Sequence, residues 1–229
     1  MVTPPSIPRA TVARLALYLH YLSELGDVRP SVSSEDIGAA TNVNAAKVRK
    51  DLSYLGPGGT RGVGYAVAPL RRRITRALGL TKDLSVAIVG AGNLGSALAR
   101  YPGFSQRGFT VSALFDIDPA KVGRRIGGHR VSHLDDLDAI AASIFVAIIA
   151  TPADVAQSVA DRLAAAGVGA ILNFAPTLLK TARNVVVRNV DLSTELQILT
   201  YHAAQGRKSG VAENLGSVED GTKQPQVGS

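Results

Sequence analysis

Hydrophobic residues recur with helical spacing near the start of the chain. The spacing predicts a first helix between Pro8, which suits a first helical turn, and Gly26, which suits a helix end. Its predicted inward face consists of Val12, Leu15, Ala16, Leu19 and Leu22.

The next pattern predicts two short helices joined by a tight turn. Ser33 and Asp36 resemble a capping box that opens a helix carrying Ile37 and Ala40, and Asn44 is a suitable N-cap for the following helix. The inward positions of that following helix are Ala45, Val48, Leu52 and Leu55. Its outward positions are Lys47, Lys50, Ser53 and Tyr54, with Arg49 on the flank. This arrangement predicts a helix-turn-helix whose second helix enters the major groove of DNA.

Five glycines surround Arg61 in the stretch GPGGTRGVGYAV. We predict a β-hairpin wing with Arg61 and Gly62 at its tip, because a narrow A·T-rich minor groove attracts such an arginine. The stretch PLRRRITRALGL then predicts a linking helix. Two interpretations stay open for its arginines, contact with phosphates or plain solvation; they are Arg71, Arg72, Arg73 and Arg76.

After residue 80 the pattern becomes one of alternating strands and helices. LSVAIV is a short apolar run typical of a buried parallel strand. FTVSALF, SIFVAII, GAILNFAP and NVVVRNV predict further strands, and ATPADVAQSVADRLAAAG predicts a helix. This alternation predicts an α/β fold with a doubly wound parallel sheet of the Rossmann type. The predicted division is a winged-helix domain (1–80), a Rossmann domain (81–190), a last helix (191–205) and a disordered polar tail (206–229).

The segment GAGNLG lies between the first of these strands and a helical pattern. In this context Gly90 permits a tight turn, Gly92 lets the backbone approach a pyrophosphate, and Gly95 allows close helix–strand packing. Asp116 ends the next strand, where an acid holds the ribose hydroxyls of NAD(H). A carboxylate there repels a 2′-phosphate, so NAD(H) is preferred over NADP(H).

Further candidates for the dinucleotide site lie where other strands end. Thr151 and Pro152 follow one strand and Asn173 follows the next, on the edge where ligands bind; for both segments, a plain loop is the open alternative. The nearby Arg124 and Arg125 weaken the preference for NAD(H) slightly. The predicted cofactor-binding set is Gly90, Ala91, Gly92, Asn93, Leu94, Gly95, Asp116, Ile117, Thr151, Pro152 and Asn173.

The positive charge is concentrated in the N-terminal third. The chain has 229 residues and a net charge of +7; residues 1–80 hold eleven Lys/Arg against five Asp/Glu, and the rest hold fourteen against thirteen. This asymmetry is consistent with a polyanionic partner for the first domain only, and a role of the charge in solubility alone is the open alternative. The predicted DNA-contacting residues are Asn44, Lys47, Arg49, Lys50, Ser53, Tyr54, Arg61 and Gly62.

The composition excludes several classes of protein. The chain has no cysteine, which excludes disulfides and thiolate metal sites. No apolar run approaches the ~18 to 20 residues of a membrane span, and the N-terminus lacks the pattern of a secretory signal. We expect a cytoplasmic protein with neither a membrane nor a metal partner.

Catalysis is not expected from the residue types near the predicted cofactor site. A dehydrogenase needs a proton donor or acceptor close to the nicotinamide, and the four histidines are poorly placed for that role; they are His20, His129, His133 and His202. No catalytic residue is therefore predicted. Two alternatives stay open: an NAD-dependent oxidoreductase, or a CoA-binding Rossmann module, each with a basic appendage.

Five segments together resemble the Rex family of bacterial redox-sensing transcriptional repressors. They are VRKDLSYLGPGGTRGVGY, VGAGNLGSALARYPGF, FDIDPAKVG, ILNFAP and NVDL, in order over roughly residues 7 to 205. The resemblance implies a homodimer with a winged helix, a Rossmann domain and a domain-swapped last helix. It also implies NADH and NAD⁺ as sensed ligands, with an A·T-rich palindromic operator bound at low NADH and released when NADH binds.

The resemblance also implies roles for individual residues. Lys47, Arg49 and Lys50 match the recognition helix, and Arg61 matches the wing of the family. Tyr101 resembles a tyrosine near the nicotinamide and joins the predicted cofactor-binding set. Arg14 and Asp191 resemble residues that form a redox-switch network with this tyrosine. Leu192 departs from the family pattern, since some members have phenylalanine there.

Overall fold

The structure is a computed structural model that describes residues 7–26, 28–60 and 62–216, with side chains as far as residue 204. Its contacts divide it into two compact units. The first comprises the chain up to Ser85 together with Tyr101–Val111, and the second comprises Val86–Arg100 together with the chain from Ser112 onward. The domain limits that we derived from the sequence stay predictions.

The N-terminal part of the first unit is a winged helix. Its helices are α1 (Arg9–Glu24), α2 (Ser34–Thr41), α3 (Ala45–Ser53) and α4 (Val67–Ala77). Its strands are β1 (Ser31–Val32), β2 (Gly59–Thr60) and β3 (Gly64–Ala66), arranged in the order β1-β3-β2. Strands β2 and β3 pair antiparallel and form the predicted hairpin wing.

The turn between α2 and α3 is built as the sequence predicted. The Ser33 side chain accepts a hydrogen bond from the Asp36 backbone, the Asp36 carboxylate bonds back to Ser33, and the Asn44 side chain caps α3. Between the helices Asn42 adopts a left-handed conformation with φ of 53°. Gly38 packs so tightly here that a Cβ atom would overlap the carbonyl oxygen of Val43. The sharp turn therefore depends on glycine within α2.

The inward face of α1 differs from the predicted one. The structure buries Thr11, Leu15, Tyr18 and Leu22, whereas it leaves Val12 and Ala16 exposed and Leu19 half-buried. Helical spacing alone favoured the apolar set. Thr11 and Tyr18 occupy inward positions because their hydroxyls donate hydrogen bonds to a buried carboxylate on α3, as described below.

The second fold element is a seven-stranded sheet. Its strands are β4 (Leu84–Val89), β5 (Phe109–Asp116), β6 (Arg125–Ile126), β7 (His129–His133), β8 (Val146–Ile149), β9 (Ala170–Asn173) and β10 (Val186–Asn189). The order is β10-β9-β8-β4-β5-β7-β6, and the pairs β4–β8, β8–β9, β9–β10 and β5–β7 are parallel. Chain order reverses on either side of β4, as in a Rossmann sheet. The predicted doubly wound fold is confirmed.

The connections of the sheet are less regular than the sequence predicted. Helices α5 (Asn93–Ala99) and α6 (Ala153–Ala165) follow β4 and β8. Between β7 and β8 the chain forms two 3₁₀ helices instead, and a helix-free loop joins β9 to β10. The predicted strand SIFVAII accordingly begins at Val146 rather than at Ser143.

The last helix, α7 (Leu192–Gly216), is longer than predicted. We expected it to end at residue 205 and a disordered tail to begin at 206. Gly206 lowers helix stability by only about 1 kcal/mol relative to alanine, and the backbone hydrogen bonds of a long helix offset that loss. Residues 217–229 of the predicted tail lie outside the described residues. Within the described part, no helix has the length and apolar character that a membrane crossing needs.

Replacing Gly38 by alanine should destabilise the protein. An alanine in a helix ordinarily stabilises it by up to about 1 kcal/mol relative to glycine, but here the new Cβ overlaps a backbone carbonyl. We expect a net loss of about 1–3 kcal/mol, measured as the midpoint of urea unfolding. Gly169→Ala is the control, because no atom lies within 4 Å of its Cβ position. An unchanged or higher midpoint for Gly38→Ala would contradict the tight turn.

Candidate functional site

The outer face of α3 carries the predicted basic surface. Lys47, Lys50 and Ser53 are exposed, while Val48 and Leu52 are buried. The helix therefore turns the predicted apolar positions inward and the two lysines toward solvent. Their contact with DNA stays a prediction.

Other predicted DNA-contacting side chains of this region already have partners. The Asn44 Oδ1 atom accepts a hydrogen bond from the Ala46 backbone at 2.8 Å, and the Ser53 hydroxyl donates to the Lys50 carbonyl at 2.7 Å. Tyr54 is half-buried at the C-cap of α3. These contacts shape the two ends of the helix.

Arg49 is fastened to the neighbouring helix. Its Nη1 atom donates to the Ser34 hydroxyl at 2.9 Å and to Glu35 Oε1 at 3.0 Å, both on α2. The flank position predicted for Arg49 explains this pairing, since it faces α2 rather than the outer surface. Arg49 thus links α3 to α2 through an exposed ion pair and a hydroxyl contact, and its contact with DNA stays a prediction.

A buried carboxylate that the sequence analysis missed connects α3 to α1. Asp51 is only 1% exposed. It accepts hydrogen bonds from Thr11 Oγ1 at 2.9 Å, from Tyr18 Oη at 2.9 Å, and from Arg14 Nε and Nη2 at 2.6 and 2.7 Å. The Arg14 contact is a bidentate ion pair, the strongest common form of charge-assisted hydrogen bonding. The opening helix therefore holds the recognition helix through four hydrogen bonds to one side chain.

These contacts shift the pKa values of the group in directions that stabilise the ion pair. Burial acts to raise the pKa of Asp51, but hydrogen bonds from Arg14, Tyr18 and Thr11 outweigh it and lower the pKa. Burial, followed by the hydrogen bond to Asp51, raises the pKa of Tyr18. The hydrogen bond to Asp51 raises the pKa of Arg14. Asp51 is therefore ionised and Arg14 charged at neutral pH.

An arginine of α4 anchors the segment that joins α3 to the wing. Arg73 Nη2 donates to the carbonyls of Leu55 and Gly56 at 2.6 and 2.5 Å. Of the four arginines whose role was open, Arg73 is therefore a structural residue. Gly62 lies in the tip with φ of 78°, and Arg61 lies outside the described residues.

The glycine loop after β4 has the packing that its motif requires. Gly90 has φ of 104°, and a Cβ atom there would lie 2.5 Å from the Ala150 carbonyl oxygen. A Cβ at Gly95 would overlap the Gly90 carbonyl, whereas Gly92 faces open space. Asn93 and Leu94 are exposed at the start of α5. Gly92 thus leaves room for a ligand to approach the backbone, as a dinucleotide phosphate needs.

Asp116 lies at the carboxyl end of β5 and braces this loop. It is 7% exposed, and it accepts hydrogen bonds from the Ala91 backbone at 2.7 Å, the Asp118 backbone at 2.9 Å and Lys121 Nζ at 3.1 Å. Burial acts to raise the pKa of Asp116, but the backbone N–H groups of Asp118 and Ala91 and the Lys121 ammonium lower it. Sequence reasoning missed Lys121 and considered Arg124 and Arg125, which are exposed.

The ends of the next two strands differ in what they offer a ligand. Among buried side-chain polar atoms of the described residues, Thr151 Oγ1 alone has no hydrogen-bond partner. An orphaned hydroxyl after β8, beside the glycine loop, fits a polar ligand group there. Pro152 is exposed at the N-cap of α6, and Ile117 is exposed after β5.

The side chain of Asn173 forms its hydrogen bonds within the protein itself. It is fully buried, its Nδ2 donates to Ala175 O, Thr177 O and Asn189 Oδ1, and its Oδ1 accepts from the Ala175 backbone. The side chain shapes the loop after β9. Ligand contact by Asn173 stays a prediction, and the observed geometry gives its side chain a structural role.

The three residues of the predicted redox-switch network each have local partners. Arg14 is paired with Asp51. Asp191 is exposed and caps α7, accepting from the Ser193 backbone at 2.9 Å and the Thr194 hydroxyl at 3.0 Å. Tyr101 is 50% exposed and packs edge-to-face on Phe104, with ring centroids 5.3 Å apart. The network itself stays a prediction.

Two family models match the chain. One, described as a CoA binding domain, matches residues 81–177, and the other, described as "Putative DNA-binding protein N-terminus", matches residues 6–53. The chain is 56% identical over 207 residues to the redox-sensing transcriptional repressor Rex of Streptomyces griseus, covering 89% of this chain and 81% of the relative. It is 46% identical over 206 residues to the repressor of the same name from Desulfitobacterium hafniense, covering 88% and 97%.

A comparison with solved structures also finds similarity to a Rex-family repressor. The chain is similar to RSP, a Rex-family repressor, with a TM-score of 0.81 and 35% identity over 90% of this chain and 98% of that one. RSP in complex with β-NAD⁺ and operator DNA matches with a TM-score of 0.80 and 35% identity, covering 93% of this chain and 98% of that one. RSP with β-NADH matches with the same TM-score and identity, covering 90% and 98%.

Replacing Arg14 by alanine should destabilise the fold far more than removing a surface arginine. It leaves the buried Asp51 carboxylate without two of its four hydrogen bonds, which costs about 3 kcal/mol or more. Because the pKa of Asp51 is lowered on folding, its contribution is complete above pH ~4 and is lost as the pH falls through the folded pKa. Urea unfolding at pH 7 and below pH 4 measures both effects.

The matched control is Arg29→Ala, which removes the same charge from an exposed pair with Asp36. We expect that variant to lose at most about 1 kcal/mol. Equal losses for the two variants at pH 7 would contradict the role assigned to the buried carboxylate.

Proposed function

Because the chain belongs to the Rex family of redox-sensing transcriptional repressors, we propose that it represses transcription by binding operator DNA and leaves the operator when NADH binds. One observation carries the proposal: a single chain joins an exposed basic recognition helix to a glycine loop braced by a buried acid. A DNA partner sets its place of action in the cytoplasm of a bacterial cell.

The DNA-binding surface that we propose is the outer face of α3 together with the wing. Lys47 and Lys50 are exposed on this face, and the contacts of Asp51 and Arg49 fix how α3 is presented. The lysines would contact base edges or phosphates in the major groove. The wing tip at Gly62, with the adjacent Arg61, would enter the minor groove of an A·T-rich sequence.

The residues present fit a bound NAD(H). Gly92 leaves space for the pyrophosphate at the loop, Asp116 stands where an acid holds ribose hydroxyls, and the Thr151 hydroxyl lacks a protein partner. Tyr101, exposed after α5, would report on the nicotinamide end. The bound nucleotide supplies the redox information, while these side chains position it.

A homodimer is supported by the unburied apolar surface of α7. Five large side chains of this helix are between 47% and 65% exposed; they are Leu192, Leu196, Ile198, Leu199 and Tyr201. Such a surface costs free energy in water unless another surface covers it. A second copy would cover it, and twofold symmetry would then present two copies of α3 about 34 Å apart to a palindromic operator.

The Arg14–Asp51 pair gives the proposed switch its physical link to DNA. Separating Arg14 from the buried Asp51 would cost about 3–5 kcal/mol of free energy. A typical coupling free energy between two allosteric sites is smaller, about 1–3 kcal/mol. Arg14 would therefore stay paired with Asp51 during the switch. Its described bonds to Asp51 use Nε and Nη2, so its Nη1 could donate to a further acceptor such as Asp191. Helices α1 and α3 would then respond to the nucleotide as one body.

The CoA alternative is favoured by one family match but opposed by the site. CoA carries a phosphate on its adenosine ribose, and the buried Asp116 carboxylate, ionised at neutral pH, repels a phosphate there. NAD(H) has free ribose hydroxyls, which a carboxylate accepts. We propose a sensor rather than an enzyme, since Asp191 and Tyr101 serve the switch and no catalytic group is assigned.

Operator release should be specific for NADH. We expect a gel shift of an A·T-rich palindrome by the protein to be reversed by NADH, little affected by NAD⁺, and unaffected by CoA. By linkage, operator DNA should weaken NADH binding by the same factor by which NADH weakens operator binding. Equal NADH affinities with and without operator would exclude the proposed coupling, and release by CoA would favour the alternative.

The variant Lys47→Ala should weaken operator binding and leave NADH affinity unchanged. If Lys47 contacts a phosphate, the slope of log affinity against log salt concentration should decrease by about 0.9, as measured by fluorescence anisotropy. Lys180→Ala is the control, because Lys180 is an exposed lysine of the loop after β9. A salt slope for Lys47→Ala that matches the control would remove Lys47 from the interface.

A further inference from the structure

The acid that ends β5 is paired with a lysine. The Lys121 ammonium lies 3.1 Å from Asp116 Oδ2 and 3.6 Å from Asp118 Oδ2. The Asp116 side chain is 8% exposed and that of Lys121 is 35% exposed. The pair therefore faces solvent through its cation, at the edge of the sheet where the glycine loop lies.

The hydrogen-bonding capacity of Asp116 is largely used by the protein. Each carboxylate oxygen accepts about two hydrogen bonds. Oδ2 already accepts from the Ala91 backbone and from Lys121, and Oδ1 accepts from the Asp118 backbone. Asp116 thus keeps one strong acceptor position, on Oδ1. A ribose that presents two hydroxyls needs a second partner.

We propose that Lys121 is that second partner, so that an Asp116–Lys121 pair, and not the acid alone, recognises the adenosine ribose, and that Lys121 limits how strongly Asp116 favours NADH over NADPH. One hydroxyl donates to Asp116 Oδ1, and the other accepts from the Lys121 ammonium, which has three N–H donors. The assignment rests on the proposed function, because it concerns the same nucleotide site.

The pair has a consequence for a ribose that carries a 2′-phosphate. Asp116 repels the phosphate and Lys121 attracts it, so the two residues act in opposite directions on NADPH. The hydrogen bond to Asp116 raises the pKa of Lys121, which keeps the ammonium charged. With the acid removed, the lysine becomes a phosphate ligand.

The test is direct titration of the full-length protein with NADH and with NADPH, followed by nucleotide fluorescence. Lys121→Met keeps most of the side-chain stem and should lower NADH affinity about tenfold, as the loss of one charge-assisted hydrogen bond does. It should lower NADPH affinity further. Asp116→Ser should raise NADPH affinity at least about tenfold, and the double variant Asp116→Ser/Lys121→Met should lose that gain.

Arg124→Ala is the matched control, because Arg124 is an exposed cation in the same turn. Operator binding by each variant, together with its thermal unfolding, shows that the fold is intact. If Asp116→Ser does not fold, the change of NADH-to-NADPH preference in Lys121→Met decides alone.

The outcomes separate this inference from the proposed function. A wild-type protein that binds DNA but neither nucleotide would overturn both. If the wild type binds NADH and releases operator, while Lys121→Met retains the wild-type affinities or Arg124→Ala changes them equally, only the role of Lys121 is refuted. A gain in NADPH affinity that persists in the double variant would refute it as well.

Discussion

The DNA-binding half of this chain depends on one buried carboxylate. Asp51 lies on the inner side of the helix whose outer side carries Lys47 and Lys50, and its four hydrogen bonds all come from α1. A charged group without water is tolerated only when its lone pairs are satisfied. The orientation of the recognition helix is therefore set by where Thr11, Arg14 and Tyr18 can reach.

The nucleotide-binding part also contains a buried carboxylate whose hydrogen bonds are satisfied by the protein, but this carboxylate has a different role. Asp116 is also buried, and its partners are backbone N–H groups of the glycine loop and of the turn after β5. In the first half, the satisfied carboxylate fixes a rigid helix; in the second, it fixes a loop that glycine would otherwise leave free. The two carboxylates share the same chemistry, and their positions in the fold decide whether each one orients a helix or shapes a loop.

Local rules predicted most of the fold, and long-range pairing limited the rest. The capping box at Ser33, the N-cap at Asn44 and the glycine loop follow from neighbouring residues, so the sequence predicted them correctly. The face of α1 was predicted wrongly because Thr11 and Tyr18 pair with a residue 33 to 40 positions away. The role of Arg73 was unpredictable for the same reason, since its carbonyl partners lie 17 and 18 positions away. Asn173 instead bonds mainly within the loop that follows it, and periodicity carries no information about the path of an irregular loop.

The braced glycine loop has a kinetic consequence. Because the Ala91 N–H is already bound to Asp116, the loop has its shape before a ligand arrives, and the conformational entropy of ordering it is lost during folding rather than binding. Exchange of one nucleotide for another then requires no refolding of the loop.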